Sequence, residues 1–286
     1  MKVIDLLNQG KPTLSFEFFP PKTEEQEERL VQVIGQLKNF EPDYVSVTYG
    51  ALGANSEIAF RWVKEIKTKF AITPVAHLTC VSTAREVTNQ KVKELVNMGV
   101  ENILALRGDI PEGQENVASP VNGCSHACEL VAFIKELYPY LCLGVAGYPE
   151  KHPQAPDLAT DSKHLKNKVD AGADYIVTQL FFDNQAYFDF VDLCRKAGIN
   201  VPIIPGLMPI TSYKLLHKMS AICGVKIPAD LFNKLEQHQQ DPAAVLEIGL
   251  EQAVNQCQEL KAKRVPGLHF FVMNQAGPIS QILAQL

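Results

Sequence analysis

The chain has 286 residues, which is long for one ordinary domain but normal for an α/β barrel. Apolar residues make up 46% of it and charged residues 21%, as in a soluble globular protein, and the formal net charge of -5 argues against a nucleic-acid-binding surface. The sequence has no run of about twenty apolar residues and no signal-peptide core, and its seven scattered cysteines favour a reducing compartment, so we expect a cytoplasmic protein.

Two sequence periods alternate along the chain. Apolar residues three and four apart predict amphipathic helices, and between these helices lie short runs rich in β-branched and aromatic residues. These runs predict eight strands, near residues 13–19, 44–49, 73–79, 102–107, 143–148, 175–181, 202–208 and 268–273.

Capping signals mark several of the predicted helices. The first helix is expected to begin at a capping box of Thr23 and Gln26, and the third at a box of Thr83 and Glu86. Three glycines stand where helices should end: Gly99, Gly172 and Gly198.

Eight strand–helix units predict a closed (β/α)8 barrel, the TIM-barrel fold, as a single domain over residues 1–286. The last strand is preceded by a longer interval, in which residues 227–263 predict two further helices outside the barrel. An open doubly wound sheet is the alternative fold. The first strand lacks the Gly-x-Gly-x-x-Gly turn that many such sheets carry, which favours the barrel.

The first strand carries a carboxylate among aromatic residues. Glu17 lies between Phe16 and Phe18, and two prolines then end the strand. A buried, ionised glutamate is unfavourable unless it is paired or its pKa is raised, and a raised pKa suits a general acid. Alternatively, Glu17 points to solvent from an alternating strand.

Polar residues recur where the predicted strands end, which is where barrel enzymes place their chemistry. In chain order these residues are Glu17, Thr48, Tyr49, His77, Thr79, Arg107, Asp109, Tyr148, Glu150, His152, Thr178 and Gln179. Each has a structural explanation when taken singly, such as a surface ion pair for Arg107 with Asp109. Structural roles alone would scatter such residues over both ends of the barrel, so the sequence predicts a site at one rim.

Cys124, His126 and Cys128 place three soft metal ligands within five residues. A structural zinc site usually needs a second pair of ligands, and no such pair follows at the usual spacing. We therefore expect no metal site.

Eight segments together carry a resemblance to a known family. They include Phe16-Glu17-Phe18-Phe19-Pro20-Pro21 and Leu106-Arg107-Gly108-Asp109, and the remaining six are residues 47–51, 76–79, 148–153, 168–174, 178–183 and 204–209. In content and order they resemble the methylenetetrahydrofolate reductases, which are FAD-dependent (β/α)8 barrels. The chain resembles the bacterial form, without the regulatory extension of eukaryotic homologues.

The resemblance implies an oxidoreductase that works in two half-reactions at one site. NADH passes a hydride to FAD and leaves, and 5,10-methylenetetrahydrofolate then takes the hydride to give 5-methyltetrahydrofolate. Glu17 would be the general acid that protonates the folate nitrogen. Asp109 would lie near the flavin pyrimidine ring and touch the pterin, Gln179 would hydrogen-bond the pterin, Thr48 would lie near the nicotinamide, and Tyr213 would cover the substrate.

The resemblance also implies a larger set of FAD-binding residues. Of these, Arg107 and Lys168 can offset the charge of phosphate groups. The implied set is Thr48, Tyr49, Ala51, His77, Arg107, Gly108, Asp109, Ala127, Tyr148, His152, Ala155, Asp161 and Lys168. The family further implies a homo-oligomer, small-molecule partners, and neither a nucleic-acid nor a membrane partner.

Two positions depart from the family pattern. His126 stands where a tyrosine near the adenine is common, and Gln275 stands where an arginine typically reaches the glutamate tail of folate. A neutral amide cannot form the charged bidentate pair that arginine makes, so a different mode of tail recognition is expected.

Two other functions stay open: a flavin-free pterin-binding barrel that transfers a one-carbon unit, and a non-catalytic folate- or FAD-binding protein. The choice of NADH or NADPH also stays open.

Overall fold

The structure is a computed structural model and describes residues 1–49, 56–109 and 122–286. Eight parallel strands form a closed barrel in which each strand pairs with the next, and the eighth pairs with the first. The strands are β1 Thr13–Phe18, β2 Tyr44–Val47, β3 Thr73–Thr79, β4 Asn102–Leu106, β5 Cys142–Gly147, β6 Tyr175–Leu180, β7 Ile203–Leu207 and β8 Gly267–Phe271. The predicted (β/α)8 barrel is confirmed.

Eleven α-helices lie in the described part of the chain. They are α1 Val3–Leu7, α2 Glu24–Lys38, α3 Ser56–Glu65, α4 Arg85–Asn97, α5 Ala127–Leu137, α6 Leu158–Asp170, α7 Asn184–Lys196, α8 Tyr213–Cys223, α9 Ala229–Gln237, α10 Pro242–Ala262 and α11 Ala276–Leu283. A π-helical turn, Ile66–Phe70, continues α3. No described helix is long and apolar enough to span a membrane.

The helices before the last strand are present, with one difference from the prediction. Helix α10 contacts both α7 and α11, and it buries Val254, Cys257 and Leu260 in the main core. It therefore occupies the place in the outer ring between β7 and β8. The additional helices are α8 and α9, which build a separate apolar cluster with the loop after β7.

The first predicted capping box is confirmed. Thr23 Oγ1 accepts a hydrogen bond from the Gln26 backbone N–H at 3.3 Å, and the Gln26 side chain accepts one from the Lys22 N–H at 2.8 Å. The glycine stop signals also hold, since all three adopt left-handed φ angles just after a helix: Gly99 at 71°, Gly172 at 113° and Gly198 at 76°.

The second predicted capping box is wrong. Helix α4 follows Ala84, which has no capping side chain, and the Thr83 hydroxyl donates to the Val81 carbonyl at 3.2 Å. Ala84 forms an isolated antiparallel bridge with Gly123, which holds it in extended conformation. The chain therefore enters the helix one residue later than the sequence pattern suggests.

Strand residues alternate between the helix layer and the barrel interior. On β1, Phe16 and Phe18 are buried in the core shared with the helices, while Ser15 and Glu17 make side-chain contacts with the inward residues of neighbouring strands. A second cluster fills the interior at the amino ends of the strands, and helix α1 contributes Val3 and Leu7 to it. The open space of the barrel is thus confined to the carboxyl ends of the strands.

Asn102 anchors α1 to the barrel. Its Oδ1 accepts from the Val3 N–H at 2.7 Å, and its Nδ2 donates to the carbonyls of Met1 at 3.0 Å and Pro74 at 3.3 Å. We expect Asn102→Ala to lower the free energy of unfolding in urea by about 1–3 kcal/mol, because buried backbone groups lose their partners. The exposed Asn97→Ala is the control, and equal losses in both variants would contradict the anchoring role.

Candidate functional site

A cavity of about 810 Å³ opens at the carboxyl ends of the strands, within the usual range of about 300–1,000 Å³ for small-molecule sites. The structure brings most of the sequence-predicted residues into its lining. These are Glu17, Thr48, His77, Arg107, Gly108, Asp109, Ala127, Tyr148, His152, Ala155, Asp161, Lys168 and Gln179, together with His126. Ala51 lies outside the described residues.

Tyr49 lies away from the cavity. Its ring is buried against Phe60, with 5.7 Å between the ring centroids, and the Lys91 ammonium lies 5.0 Å from it. Strand alternation explains the difference, because Thr48 faces inward and its neighbour must face the helices. Its predicted contact with FAD stays a prediction.

Tyr213 is also absent from the cavity lining. It is the first residue of α8, where its ring packs edge-on against His217 with 4.4 Å between centroids. The same helix instead contributes Met219 and Cys223 to the cavity. Tyr213 therefore does not cover the cavity in this structure, and the role of Tyr213 in covering the substrate stays a prediction.

Glu17 is paired inside the barrel. Its Oε2 lies 3.3 Å from Nε2 of His77 on β3 and 3.5 Å from Nε2 of His269 on β8, and the Ser46 hydroxyl donates to it at 3.4 Å. Both imidazole contacts lie outside good hydrogen-bond geometry, so these Nε2 atoms are buried without a hydrogen-bond partner among the described residues. No described residue hydrogen-bonds the other oxygen, Oε1.

The sequence left open whether Glu17 is buried with a partner or points to solvent, and the structure shows it buried and paired. The Glu17 side chain is 12% exposed. Burial raises the pKa of its carboxyl group, but the contacts with His77 and His269 lower it by more, so the pKa lies below its ordinary value. The Glu17 carboxylate and the two imidazoles therefore form one coupled acid–base cluster.

His269 and Ser15 are parts of the site that sequence reasoning missed. Nδ1 of His269 lies 2.8 Å from the Ser15 hydroxyl, a hydrogen bond whose donor depends on the imidazole tautomer, and the His269 ring stacks on Tyr44. His269 could have been found from the sequence, because it is a histidine within an otherwise apolar predicted strand, as His77 is on β3.

One corner of the cavity suits an anion. Helix α5 begins there after His126, which provides no side-chain cap, and Ala127 and Cys128 of its first turn line the cavity. Uncapped N–H groups at a helix N-terminus favour phosphate. Arg107 and Lys168 also line the cavity, so the helix terminus and the cationic side chains together provide donors of the kind that a pyrophosphate requires.

The ammonium group of Lys168 has close contacts with a backbone carbonyl and an aromatic ring. Its ammonium donates to the Ala146 carbonyl at 2.8 Å and lies 5.9 Å from the centroid of the Tyr148 ring. Burial lowers the pKa of Lys168 to about 8, although nearby Asp161 acts in the opposite direction. A bound anion would relieve the unfavourable burial of this charge.

Tyr148 and His152 form the neighbouring wall. Their rings pack edge-on with 4.7 Å between centroids. The His152 Nδ1 accepts from the Gln154 N–H at 3.1 Å, and Asp161 accepts from the His152 N–H at 3.0 Å. Burial, together with the charge of Arg107, lowers the pKa of His152, which favours the neutral imidazole with its proton on Nε2.

Gly108 allows the turn that presents Arg107 and Asp109. It has a φ of 88°, and a Cβ atom at this position would lie 2.9 Å from the Cβ of Thr79. No salt bridge joins Arg107 to Asp109 within the described residues. The surface ion pair considered from the sequence is therefore not formed, and Asp109 is exposed toward the cavity.

The pairing of β6 is irregular beside the site. The register between β6 and β7 shifts between Val177 and Leu180, and such irregularities commonly redirect side chains near ligand sites. Gln179 lies within this shift and lines the cavity, while its Oε1 accepts from the Leu180 N–H at 2.9 Å. Its amide nitrogen has no partner among the described residues and can donate to a ligand.

The remaining sequence candidates lie as follows. Among the described residues, no group of three or more His, Cys, Asp or Glu side chains is arranged to hold a metal ion. All seven cysteines are free thiols; Cys124 is buried, whereas Cys128 lines the cavity. Gln275 is exposed as the N-cap residue of α11 and does not line the cavity.

Comparison with known proteins gives consistent results over nearly the whole chain. The family described as methylenetetrahydrofolate reductase matches residues 2–286. Methylenetetrahydrofolate reductase (NADH) 1 of Arabidopsis thaliana is 38% identical over 288 residues, which are 96% of this chain and 49% of that protein. The 5,10-methylenetetrahydrofolate reductase of Salmonella typhimurium is 36% identical over 268 residues, which are 94% of this chain and 88% of that protein. The chain spans about half the length of the plant relatives it matches.

A solved structure supports the fold. It is an uncharacterised protein from Clostridium thermocellum that binds two copies of 5-methyl-5,6,7,8-tetrahydrofolic acid. The two chains align with a TM-score of 0.63 at 17% identity, covering 98% of this chain and 95% of that one.

Proposed function

Because the chain belongs to the methylenetetrahydrofolate reductase family, we propose that it reduces 5,10-methylenetetrahydrofolate to 5-methyltetrahydrofolate, with FAD as bound cofactor and NADH as reductant. The observation that carries the proposal is the Glu17 carboxylate with His77 and His269 at the base of the cavity. A buried acid–base cluster beneath a cavity for flat ligands is what proton delivery to a folate nitrogen requires.

The cavity fits FAD in the character of its donors. The uncapped start of α5, Arg107 and Lys168 would hold the pyrophosphate. His126 and Tyr148 offer flat rings to the adenine or ribose, and Gly108 lets the backbone approach closely. When bound, FAD would supply hydride transfer between NADH and the folate.

Glu17 would be the general acid in this reaction. His77 and His269 lie 3.3 Å and 3.5 Å from Oε2 of Glu17 and would supply a proton to it once one of their Nε2 atoms forms a hydrogen bond to this oxygen, and Oε1 would be available to the substrate nitrogen. Ser15 orients His269, and Ser46 holds the carboxylate in place. The low pKa of Glu17 in the free protein is compatible with this role, because a ligand that excludes water from the cluster favours the protonated carboxyl.

Gln179 and Asp109 would recognise the pterin. The free amide of Gln179 can donate to it, and the carboxylate of Asp109 can accept from its amino groups. Thr48 lines the cavity on the β2 side, where the nicotinamide would approach. An assembly of identical subunits and a cytoplasmic location complete the proposal; they are typical of the family.

Asp109→Asn is expected to raise the midpoint potential of the bound flavin. A carboxylate near the pyrimidine side disfavours the negatively charged reduced form, and the amide removes that charge while keeping the shape. Reduction by NADH should therefore suffer less than reduction of the folate, and folate affinity should fall as a charged hydrogen bond becomes neutral. Spectroelectrochemical titration of FAD-replete protein gives the test, and an unshifted or lower potential would exclude this electrostatic role.

The proposed function is tested by identifying the cofactor and the product. We expect acid denaturation of the purified protein to release FAD, and chromatography of a reaction with NADH and 5,10-methylenetetrahydrofolate to show 5-methyltetrahydrofolate. A protein that binds no flavin but transfers the one-carbon unit would support the one-carbon transferase alternative. Binding of folate or FAD without turnover would support the non-catalytic one.

A further inference from the structure

Phe19 is a conspicuous residue at the mouth of the cavity. The two other phenylalanines of this stretch, Phe16 and Phe18, are buried in the core, but Phe19 is 42% exposed and lines the cavity. An exposed aromatic ring at the rim of a ligand cavity gains hydrophobic contact when a ligand covers it. Packing within the protein does not explain its position.

The backbone of Phe19 is held on both sides by one side chain. Asn274 Oδ1 accepts from the Phe19 N–H at 3.0 Å, and Asn274 Nδ2 donates to the Phe19 carbonyl at 3.0 Å. The ladder between β1 and β8 ends at Glu17 and Phe271, and Pro20 has no N–H to continue it. The two hydrogen bonds of the Asn274 amide therefore take the place of a further backbone pair and fix Phe19 at the cavity mouth.

Two consecutive residues of the loop after β8 have left-handed backbone angles. Met273 and Asn274 have φ angles of 52° and 54°; asparagine tolerates this region, whereas a residue such as methionine rarely adopts it. Such conformations concentrate at functional sites, where the surrounding structure enforces them. Met273 also lines the cavity, so this loop and Phe19 together form one side of its mouth.

We propose that Phe19 is the surface on which the aminobenzoyl ring of the folate packs, and that Asn274 is the positioning residue that holds it there. The proposal rests on the proposed function. Phe19 follows Glu17 by two residues, which puts it on the same face of the chain and about 7 Å nearer the mouth. The nitrogen that is released when the methylene bridge opens is bonded directly to the aminobenzoyl ring, so with this nitrogen at Glu17 the ring extends outward to this position.

The alternative occupant of this surface is the nicotinamide ring of NADH, which is also flat. Glu17 favours the folate, since the reduction of FAD by NADH requires no acid at this carboxylate. The two occupants predict different outcomes, because the NADH and folate half-reactions can be measured separately on the same holoenzyme.

The test compares two ligands on two variants. We expect Phe19→Ala to weaken binding of 5-methyltetrahydrofolate to the FAD-loaded protein about tenfold or more, and to leave binding of 5,6-dimethyltetrahydropterin, which has no aminobenzoyl ring, nearly unchanged. Phe19→Leu, which retains apolar bulk, should lie between. Val31→Ala, at an exposed apolar residue of α2, is the control for general effects.

Asn274→Ala should show the same ligand dependence as Phe19→Ala. The double variant should lose little more than either single one, because Asn274 acts through Phe19. Equal weakening of both ligands, or a loss in the NADH half-reaction as large as that in the folate half-reaction, would overturn the proposal. If the unmodified holoenzyme does not react with folate, the proposed function itself fails; if it reacts and Phe19→Ala binds folate normally, only the role of Phe19 fails.

Discussion

Glu17→Gln is expected to slow the reoxidation of reduced flavin by 5,10-methylenetetrahydrofolate by about 10²–10⁴-fold, the usual contribution of a general acid. Glutamine keeps the shape of the side chain but cannot deliver a proton to the folate nitrogen. It also cannot pass on a proton from the imidazoles of His77 and His269, which lie 3.3 Å and 3.5 Å from the carboxylate. The folate half-reaction is measured by anaerobic stopped-flow absorbance.

The same variant should keep its FAD and its reduction by NADH, because neither requires the proton. Glu25→Gln, at an exposed position of α2, serves as the matched control. Normal turnover of the folate by the Glu17→Gln protein would mean that another group is the acid. A variant that loses its flavin would instead show that Glu17 serves to hold the cavity in shape.

Lys168→Met is expected to weaken FAD binding by about 30-fold or more. Removing one partner of an enclosed charge pair typically costs about 2–5 kcal/mol of binding free energy, and methionine retains the apolar length of the lysine side chain. Titration of the apoprotein with FAD, followed by flavin fluorescence, measures the change. Lys163→Met on the exposed side of the same helix α6 should bind FAD as the unmodified protein does.

The pH dependence of stability provides a second readout for Lys168. Burial lowers its pKa in the folded protein to about 8, below the ordinary lysine value of 10.5, so the unfolded chain binds more protons between these pH values. The stability of the apoprotein relative to the Lys168→Met variant should therefore rise with pH from about 8 to about 10.5. A flat difference would show that Lys168 is solvated in the free protein.

The position of Glu17 on the barrel follows from the sequence. All eight strands could be predicted, because each combines a short β-rich run with an adjacent helical period. The polar residues at the strand ends could be assigned to one rim for the same reason, since the carboxyl ends of parallel strands meet there. Glu17 and Arg107 line the cavity as this reasoning requires, whereas Lys168 lies on helix α6 and was expected at the site only from the family resemblance.

The pairing of Glu17 could not be predicted from sequence. It depends on the closure of the barrel, which places β8 against β1 and so brings His269 to the carboxylate. The direction of the Tyr49 side chain could not be predicted either, because one step along the chain exchanges the cavity for the helix layer; its implied contact with FAD stays a prediction. The local sequence pattern does not determine which residues pair across the barrel or which way a side chain faces, because both depend on tertiary packing.

The proposal that one cavity carries out both half-reactions with a bound flavin is tested most directly by anaerobic absorbance spectroscopy of the purified protein. We expect a visible flavin spectrum that NADH bleaches and that 5,10-methylenetetrahydrofolate then restores. A colourless protein, or a reduced flavin that the folate does not reoxidise, would contradict it.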